Sequence, residues 1–257
     1  MLRFKSLGSG STGNATLIES AGPRPFRLLV DCGLGIRQLQ LRLADAGLLL
    51  GDISAVFITH EHSDHVGCAL TLALRHRIPV WMSRGTYAAI GEPDFDGLLR
   101  TARDGEAIAM DGLEVMPFTV PHDAREPLQL SCTDGVSKLG VLTDLGHATA
   151  HILSHLEGCH ALVLECNHDT DMLTHSAYPA FLKRRVGGPY GHLSNLAAAD
   201  VTRQLMHHKL KHLVAAHLSA QNNRADLAQG VLAQVMCCGS DDIVVARPDV
   251  GTCWMDV

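Results

Sequence analysis

The junction at residues 55–65 constrains this chain more than any other stretch. Ala55-Val56-Phe57-Ile58-Thr59 is short, β-branched and apolar, and reads as a buried strand. His60-Glu61-His62-Ser63-Asp64-His65 follows directly, and four of these, His60, His62, Asp64 and His65, are candidate transition-metal ligands. In an extended chain residues two apart point the same way, so His60 and His62 can grip one ion together. Asp64 and His65 fall on the turn leaving the strand. A catalytic zinc usually takes three protein ligands and keeps one position open, so four donors this close suggest two metals. The strand supplies the rigid element that such a site needs.

The same pattern recurs. His122 follows the apolar run 115–121, Asp144 ends the run 139–143, and His217 ends the run 213–216. Each time an apolar run delivers a ligand at its tip. Further strand-like runs are expected at 14–18, 27–31, 79–82, 128–132, 161–166 and 243–245. Helix-like stretches are expected at 36–46, 66–75, 148–156, 177–185, 196–207 and 226–236. Ser194 or Asn195 can cap the helix over 196–207, and Gly47 suits the end of the first helix. Interspersed strands and helices of these lengths predict a layered α/β protein with mixed sheets. With no internal repeat, low-complexity tract or linker, residues 1–257 are expected to form one domain.

Hydrophobic content of 46% with 19% charged residues is ordinary for a globular protein, and the aromatics are sparse at 4%. The net charge of −6 argues against a general nucleic-acid binder, although local basic runs exist at Lys183-Arg184-Arg185 and at Lys209 with Lys211. Met1–Ser6 lacks an apolar signal segment, and no apolar run approaches the ~18 residues of a membrane span. The eight cysteines show no C-x-x-C spacing and read as reduced thiols. A cytoplasmic protein without membrane contact is expected.

The order Asp31, His60–His65, His122, Asp144, His217 resembles the metallo-β-lactamase superfamily. Flanking segments resemble its YycJ/WalJ family: Leu7-Gly8-Ser9-Gly10-Ser11-Thr12-Gly13-Asn14, His122-Asp123-Ala124 with Glu126-Pro127, Asn167-His168-Asp169, Tyr178-Pro179 through Lys183-Arg184-Arg185, Gly191-His192-Leu193-Ser194-Asn195, and His217-Leu218-Ser219 with Asn222-Asn223. The resemblance implies a four-layer αβ/βα sandwich of two mixed β-sheets flanked by helices, with the site at one edge between the sheets. It implies His60, His62 and His122 on one metal, Asp64, His65 and His217 on the other, and Asp144 bridging. Asp31 would stand behind the ligands and fix a histidine tautomer, and His168 could join it there. Glu165 and His192 resemble the glutamate and histidine that ribonuclease Z-like enzymes use beyond their ligands. With Asp64 they complete the implied catalytic set.

Mixed histidine and carboxylate donors suit zinc, manganese or iron. Two such ions about 3.5–4 Å apart would hold a bridging hydroxide, a nucleophile suited to phosphodiesters. The interval between Asp144 and His217 leaves no room for the large inserted domain of the ribonuclease J branch. By resemblance the expected activity is a 5′ to 3′ exonuclease on duplex DNA, with Lys183, Arg184 and Arg185 as phosphate contacts. A small-molecule cyclic phosphodiesterase and a thioester or lactone hydrolase of the same fold are the alternatives. The loop over residues 9–14 is expected to be a tight hairpin.

Overall fold

The computed structural model describes residues 1–22 and 25–257. Its first sheet contains β1 (Leu2–Gly8), β2 (Ala15–Ser20), β3 (Phe26–Val30), β4 (Ala55–Phe57), β5 (Val80–Met82) and β6 (Leu99–Thr101). Its second contains β7 (Ile108–Met110), β8 (Leu113–Thr119), β9 (Leu128–Thr133), β10 (Lys138–Leu142), β11 (Ala161–Glu165), β12 (His212–Ala216) and β13 (Val244–Val245). The last strand, β14 (Met255–Asp256), returns to pair with β1 and makes both sheets seven-stranded. Each sheet opens as an antiparallel meander and continues in parallel strands, β3 to β6 in one and β10 to β13 in the other. The expected mixed sheets are present.

Alternating side chains sort the core into three layers. Leu28 and Val30 of β3, Ala55 and Phe57 of β4, Ala161 and Val163 of β11, and Val214 and Ala216 of β12 pack between the sheets. Leu29 and Val56 point the other way, against helices α1 (Ile36–Asp45) and α3 (Ala69–His76). Leu162, Leu164, Leu213 and Ala215 point outward onto α5 (Ala150–Leu156), α8 (Asn195–Leu205) and α9 (Ala225–Met236). Helix, sheet, sheet and helix make the expected four layers. Central strands buried on both faces explain why these runs are apolar throughout rather than alternating.

The expected helices are found, with shifted ends. Ser194 supplies the α8 cap, its Oγ accepting from Ala197 N, whereas Asn195 is buried and pairs with Asn223. Pro179 delays α7 to Ala180–Val186. The stretch expected as one helix over 66–75 is broken into α2 (Ser63–Val66) and α3 by Gly67 at φ 34°. Strands β1, β6, β7 and β14 and helices α4 (Arg84–Ala89) and α6 (Thr170–His175) were not foreseen. Three of those strands have only two or three residues and sit toward sheet edges, where burial leaves little pattern. No helix among the described residues is long and apolar enough to cross a membrane. All eight cysteines are free thiols.

Where the first sheet meets the histidine turn, backbones touch. A Cβ on Gly33 would lie 1.7 Å from the Asp64 carbonyl oxygen, and one on Gly67 would lie 2.3 Å from that of Cys32. Gly33→Ala is therefore expected to cost about 3 kcal/mol, read as a lower denaturation midpoint of the metal-free protein. A wild-type midpoint would mean that these loops are not packed as described.

Candidate metal centre

Apart from His122, the predicted ligands leave the C-terminal ends of parallel strands. Residues 60–65 follow β4, Asp144 follows β10, Glu165 ends β11 and His217 follows β12, while Asp31 follows β3. His122 leaves β8 by a short loop. Asp31, Asp144 and His217 share an unusual backbone, with φ of 62°, 57° and 55°. For residues other than glycine this left-handed region is strained, and it turns the chain sharply at the strand tip.

Two donor sets converge there. His62 Nδ1 lies 3.0 Å from His60 Nε2 and 3.4 Å from His122 Nε2. Nitrogens on a tetrahedral zinc stand about 3.3 Å apart, given Zn–N bonds of about 2.05 Å. Asp64 Oδ2 lies 3.6 Å from both His65 Nε2 and His217 Nε2. Asp144 stands between the sets, with Oδ2 3.3 Å from His65 Nε2 and Oδ1 4.0 Å from His122 Nε2.

Nearly every imidazole is oriented from behind. His65 Nδ1 donates to Asp31 Oδ2 at 2.7 Å, and a carboxylate can only accept, so the neutral ring presents the Nε2 lone pair to the centre. Thr59 Oγ1 and N donate to the same carboxylate, and the Thr59 hydroxyl oxygen accepts from His60 Nδ1 at 3.0 Å. His122 Nδ1 donates to the Gly191 carbonyl. His217 Nδ1 and His192 Nδ1 both donate to Glu165 Oε1, at 2.9 and 2.8 Å.

These residues fit a cation. Asp144 Oδ2 and His217 Nε2 are buried and have no hydrogen-bond partner within the protein. A buried carboxylate oxygen and an imidazole nitrogen left bare on the same side of a site are costly, and a metal ion satisfies both.

The electrostatics separate the two sets. Burial and neighbouring imidazoles push His60 well down, and burial lowers His122 despite Asp144 beside it. Burial opposes protonation of His65 too, but the Asp144 and Asp31 carboxylates overcome it and raise that group to about 9. His217 is raised well above the usual imidazole range by Asp144, Asp64 and Glu165 against the effect of burial. Burial would raise the carboxyls of Asp64, Asp144 and Glu165, yet the surrounding imidazoles hold all three down, Asp64 to about 2. His192 is raised, with burial outweighed by Glu165.

The centre opens into a cleft of about 320 Å³. His62, Asp64, Asp144, His192 and His217 line it on one side, and Tyr178, Arg185 and Val186 on another. Of the three expected phosphate contacts, Arg185 alone lines the cleft. Lys183 Nζ donates instead to the Thr174 carbonyl, and Arg184 is exposed to solvent. Arg185 Nε donates to Asp123 Oδ2 at 2.7 Å, and Asp123 Oδ1 lies 3.4 Å from His122 Nε2. His168 is not joined to the ligands. Its ring is buried with Nδ1 lacking a partner, and its carbonyl accepts from Asn195 N.

Three contributions escaped the sequence reading. Residues 9–14 form the expected hairpin link between β1 and β2, but they also reach the centre. Asn14 Nδ2 lies 3.1 Å from His65 Nε2 and 3.3 Å from Asp64 Oδ2, and Ser9 Oγ accepts from His217 N. Glu165 orients His217 as well as His192. Glu61 Oε1 accepts from Arg125 N and ties the His122 loop to the β4 turn. The Gly/Ser/Asn composition of residues 8–14 was the available signal for the first of these, since such loops allow close backbone approach.

Comparison with known proteins identifies the family and the fold. Residues 26–225 match the family model described as the beta-lactamase superfamily domain. The chain is 34% identical to exodeoxyribonuclease YycJ of Bacillus anthracis, over 91% of this chain and 89% of that protein. It is 28% identical to exodeoxyribonuclease WalJ of Streptococcus pneumoniae, over 88% of this chain and 85% of that protein. Among solved structures, the metallo-beta-lactamase fold protein YhfI from Bacillus subtilis superposes with a TM-score of 0.77 at 15% identity, covering 99% of this chain and 98% of that one.

The charge pattern yields a thermodynamic expectation. Ligands bind metal only when deprotonated. His65, raised to about 9, and His217, raised well above the usual imidazole range, favour the protonated form, whereas His60 and His122 are shifted the other way. Of two ions added at pH 7.5, the one entering the Asp64–His65–His217 set should release protons, and its affinity should rise with pH toward about 9. Calorimetric titration in buffers of different ionisation enthalpy reads this directly. Equal proton release for both ions would contradict it.

Proposed function

The chain belongs to the beta-lactamase superfamily, in its YycJ/WalJ family, and from that premise we propose that it is a dinuclear-metal phosphodiesterase that degrades DNA from a 5′ end. His60, His62 and His122 would hold one ion, and Asp64, His65 and His217 the other, with the Asp144 carboxylate shared. Zinc or manganese suits these donors, and iron is compatible with them. Two divalent ions in such a site supply Lewis acidity and an activated water at neutral pH.

The observation that carries the reading is His192. Its ring lines the cleft beside both donor sets, and its Nδ1 proton is held by the buried Glu165 carboxylate. Against the effect of burial, that partner favours the charged imidazole and raises its pKa. An imidazolium in this place can give its proton to the leaving oxygen of a phosphodiester. Glu165 holds His192 and His217 through the same oxygen, so the proton donor and a metal ligand keep a constant separation. Arg185, steadied by Asp123, offers the cleft a positive charge for substrate phosphate. Both curated relatives described above are named exodeoxyribonucleases, which favours DNA among phosphodiesters.

The deciding assay is turnover after reconstitution with Mn²⁺ and Zn²⁺ in parallel, on duplex DNA labelled at either end and on bis(p-nitrophenyl) phosphate. Cleavage of both, with mononucleotides released from the 5′ end, is expected. Hydrolysis of the small ester with the duplex untouched at low salt would shift the reading to a small cyclic phosphodiester. His192→Ala should slow DNA cleavage by about 10²–10⁴-fold with metal content intact. Its effect on the p-nitrophenyl ester should be much smaller, because that leaving group departs without a proton. Equal losses on the two substrates would remove the proton-donor role.

A further inference from the structure

Helix α7 has no evident structural reason for its composition. It buries none of its residues, yet it carries Phe181 with 65% of its surface exposed. Tyr190, just beyond the helix, is 61% exposed. In a chain with only 4% aromatics, these are the exposed aromatic side chains among the described residues. They flank the densest basic run, Lys183-Arg184-Arg185, on a protein of net charge −6. The segment continues into the metal cleft, where Tyr178 and Arg185 form part of the wall.

We propose that the segment from Tyr178 to Tyr190 is a stacking platform for unpaired nucleotides at the end of a nucleic-acid strand. This rests on the phosphodiesterase reading above and specifies which form of substrate the site takes. Aromatic faces accept any base, and alternation with cations lets phosphates be neutralised between stacked bases. In a flush paired duplex only the terminal pair has an open face, and the stacked strand is too stiff to splay its bases one by one onto separate aromatic rings. A frayed or single-stranded end has neither restriction. Tyr178 and Arg185 would receive the nucleotide nearest the metals, and Phe181, Arg184 and Tyr190 would hold those further out. Sequence selectivity should be slight, because stacking does not read base edges.

The test compares the wild type with the double variant Phe181→Ala/Tyr190→Ala and with Arg184→Gln, all reconstituted with Mn²⁺. Substrates are flush duplex DNA, the same duplex with a short unpaired 5′ end, and bis(p-nitrophenyl) phosphate. The wild type should favour the unpaired end. The double variant should raise KM for that substrate roughly 10-fold or more, so that the ratio of its DNA rate to its small-ester rate falls and the preference disappears. Arg184→Gln should reduce the slope of log(kcat/KM) against log[salt] by about one unit. Equal use of flush and unpaired ends by the wild type, or an unchanged double variant on DNA that the wild type degrades, would overturn the platform alone. Small-ester hydrolysis with every DNA left intact would remove the nuclease reading and the platform together.

Discussion

One buried carboxylate organises the end of the second sheet. Glu165 is wholly enclosed, and it accepts from His192 Nδ1, His217 Nδ1, Leu193 N and Leu145 N. Those four donors belong to the turn after β10, the turn after β12 and the entry to α8. Without the carboxylate, three loops lose their common point and two imidazoles lose their tautomer. A lone ionised carboxylate in that position would be untenable. It is stable because each partner is a donor, and because two of them are inclined to carry positive charge.

The first sheet solves the corresponding problem by different means. Asp31 takes the part of Glu165, receiving His65 and Thr59, but the loops around it are held by backbone contact rather than by side chains. Cys32 N donates to the His65 carbonyl, Cys68 N to the Cys32 carbonyl, and Asn14 N to the Asp64 carbonyl. Gly33 and Gly67 permit that closeness. The two halves of the centre are thus built on the same strand-tip geometry and secured by different chemistry. The opposite shifts of His60 and His65 follow, because His60 is buried among other imidazoles while His65 faces the Asp144, Asp31 and Asp64 carboxylates.

Much of this was legible in the residue order. A strand with a ligand at its tip leaves a local signature, an apolar run followed by histidine or aspartate, and every donor of both sets except His122 lies at or just past such a tip. His122 was found because the run before it is equally apolar. The features that were missed depend on contacts distant in sequence. Asn14 comes within reach of His65 only because β2 lies beside β3, and residues 9–14 alone read as a turn. His168 misled for the opposite reason, since its neighbours Asn167 and Asp169 hold loops by their side chains while its own ring faces inward without a partner. The run Lys183–Arg185 was legible as charge, but which of its members faces the cleft depends on the phase of α7, set by Pro179.

The left-handed backbone at Asp31, Asp144 and His217 bears on how such a chain can change over generations. Each of these residues carries roughly 1 kcal/mol or more of conformational cost that glycine would not. Selection for a sturdier fold alone would therefore erode the centre at these three tips, replacing carboxylate and imidazole with glycine or asparagine. Relatives that have abandoned the chemistry should show that drift there first, while the glycines at 33 and 67, which serve packing, stay in place. The tips thus work as a record of whether a descendant still turns over substrate, readable from its sequence.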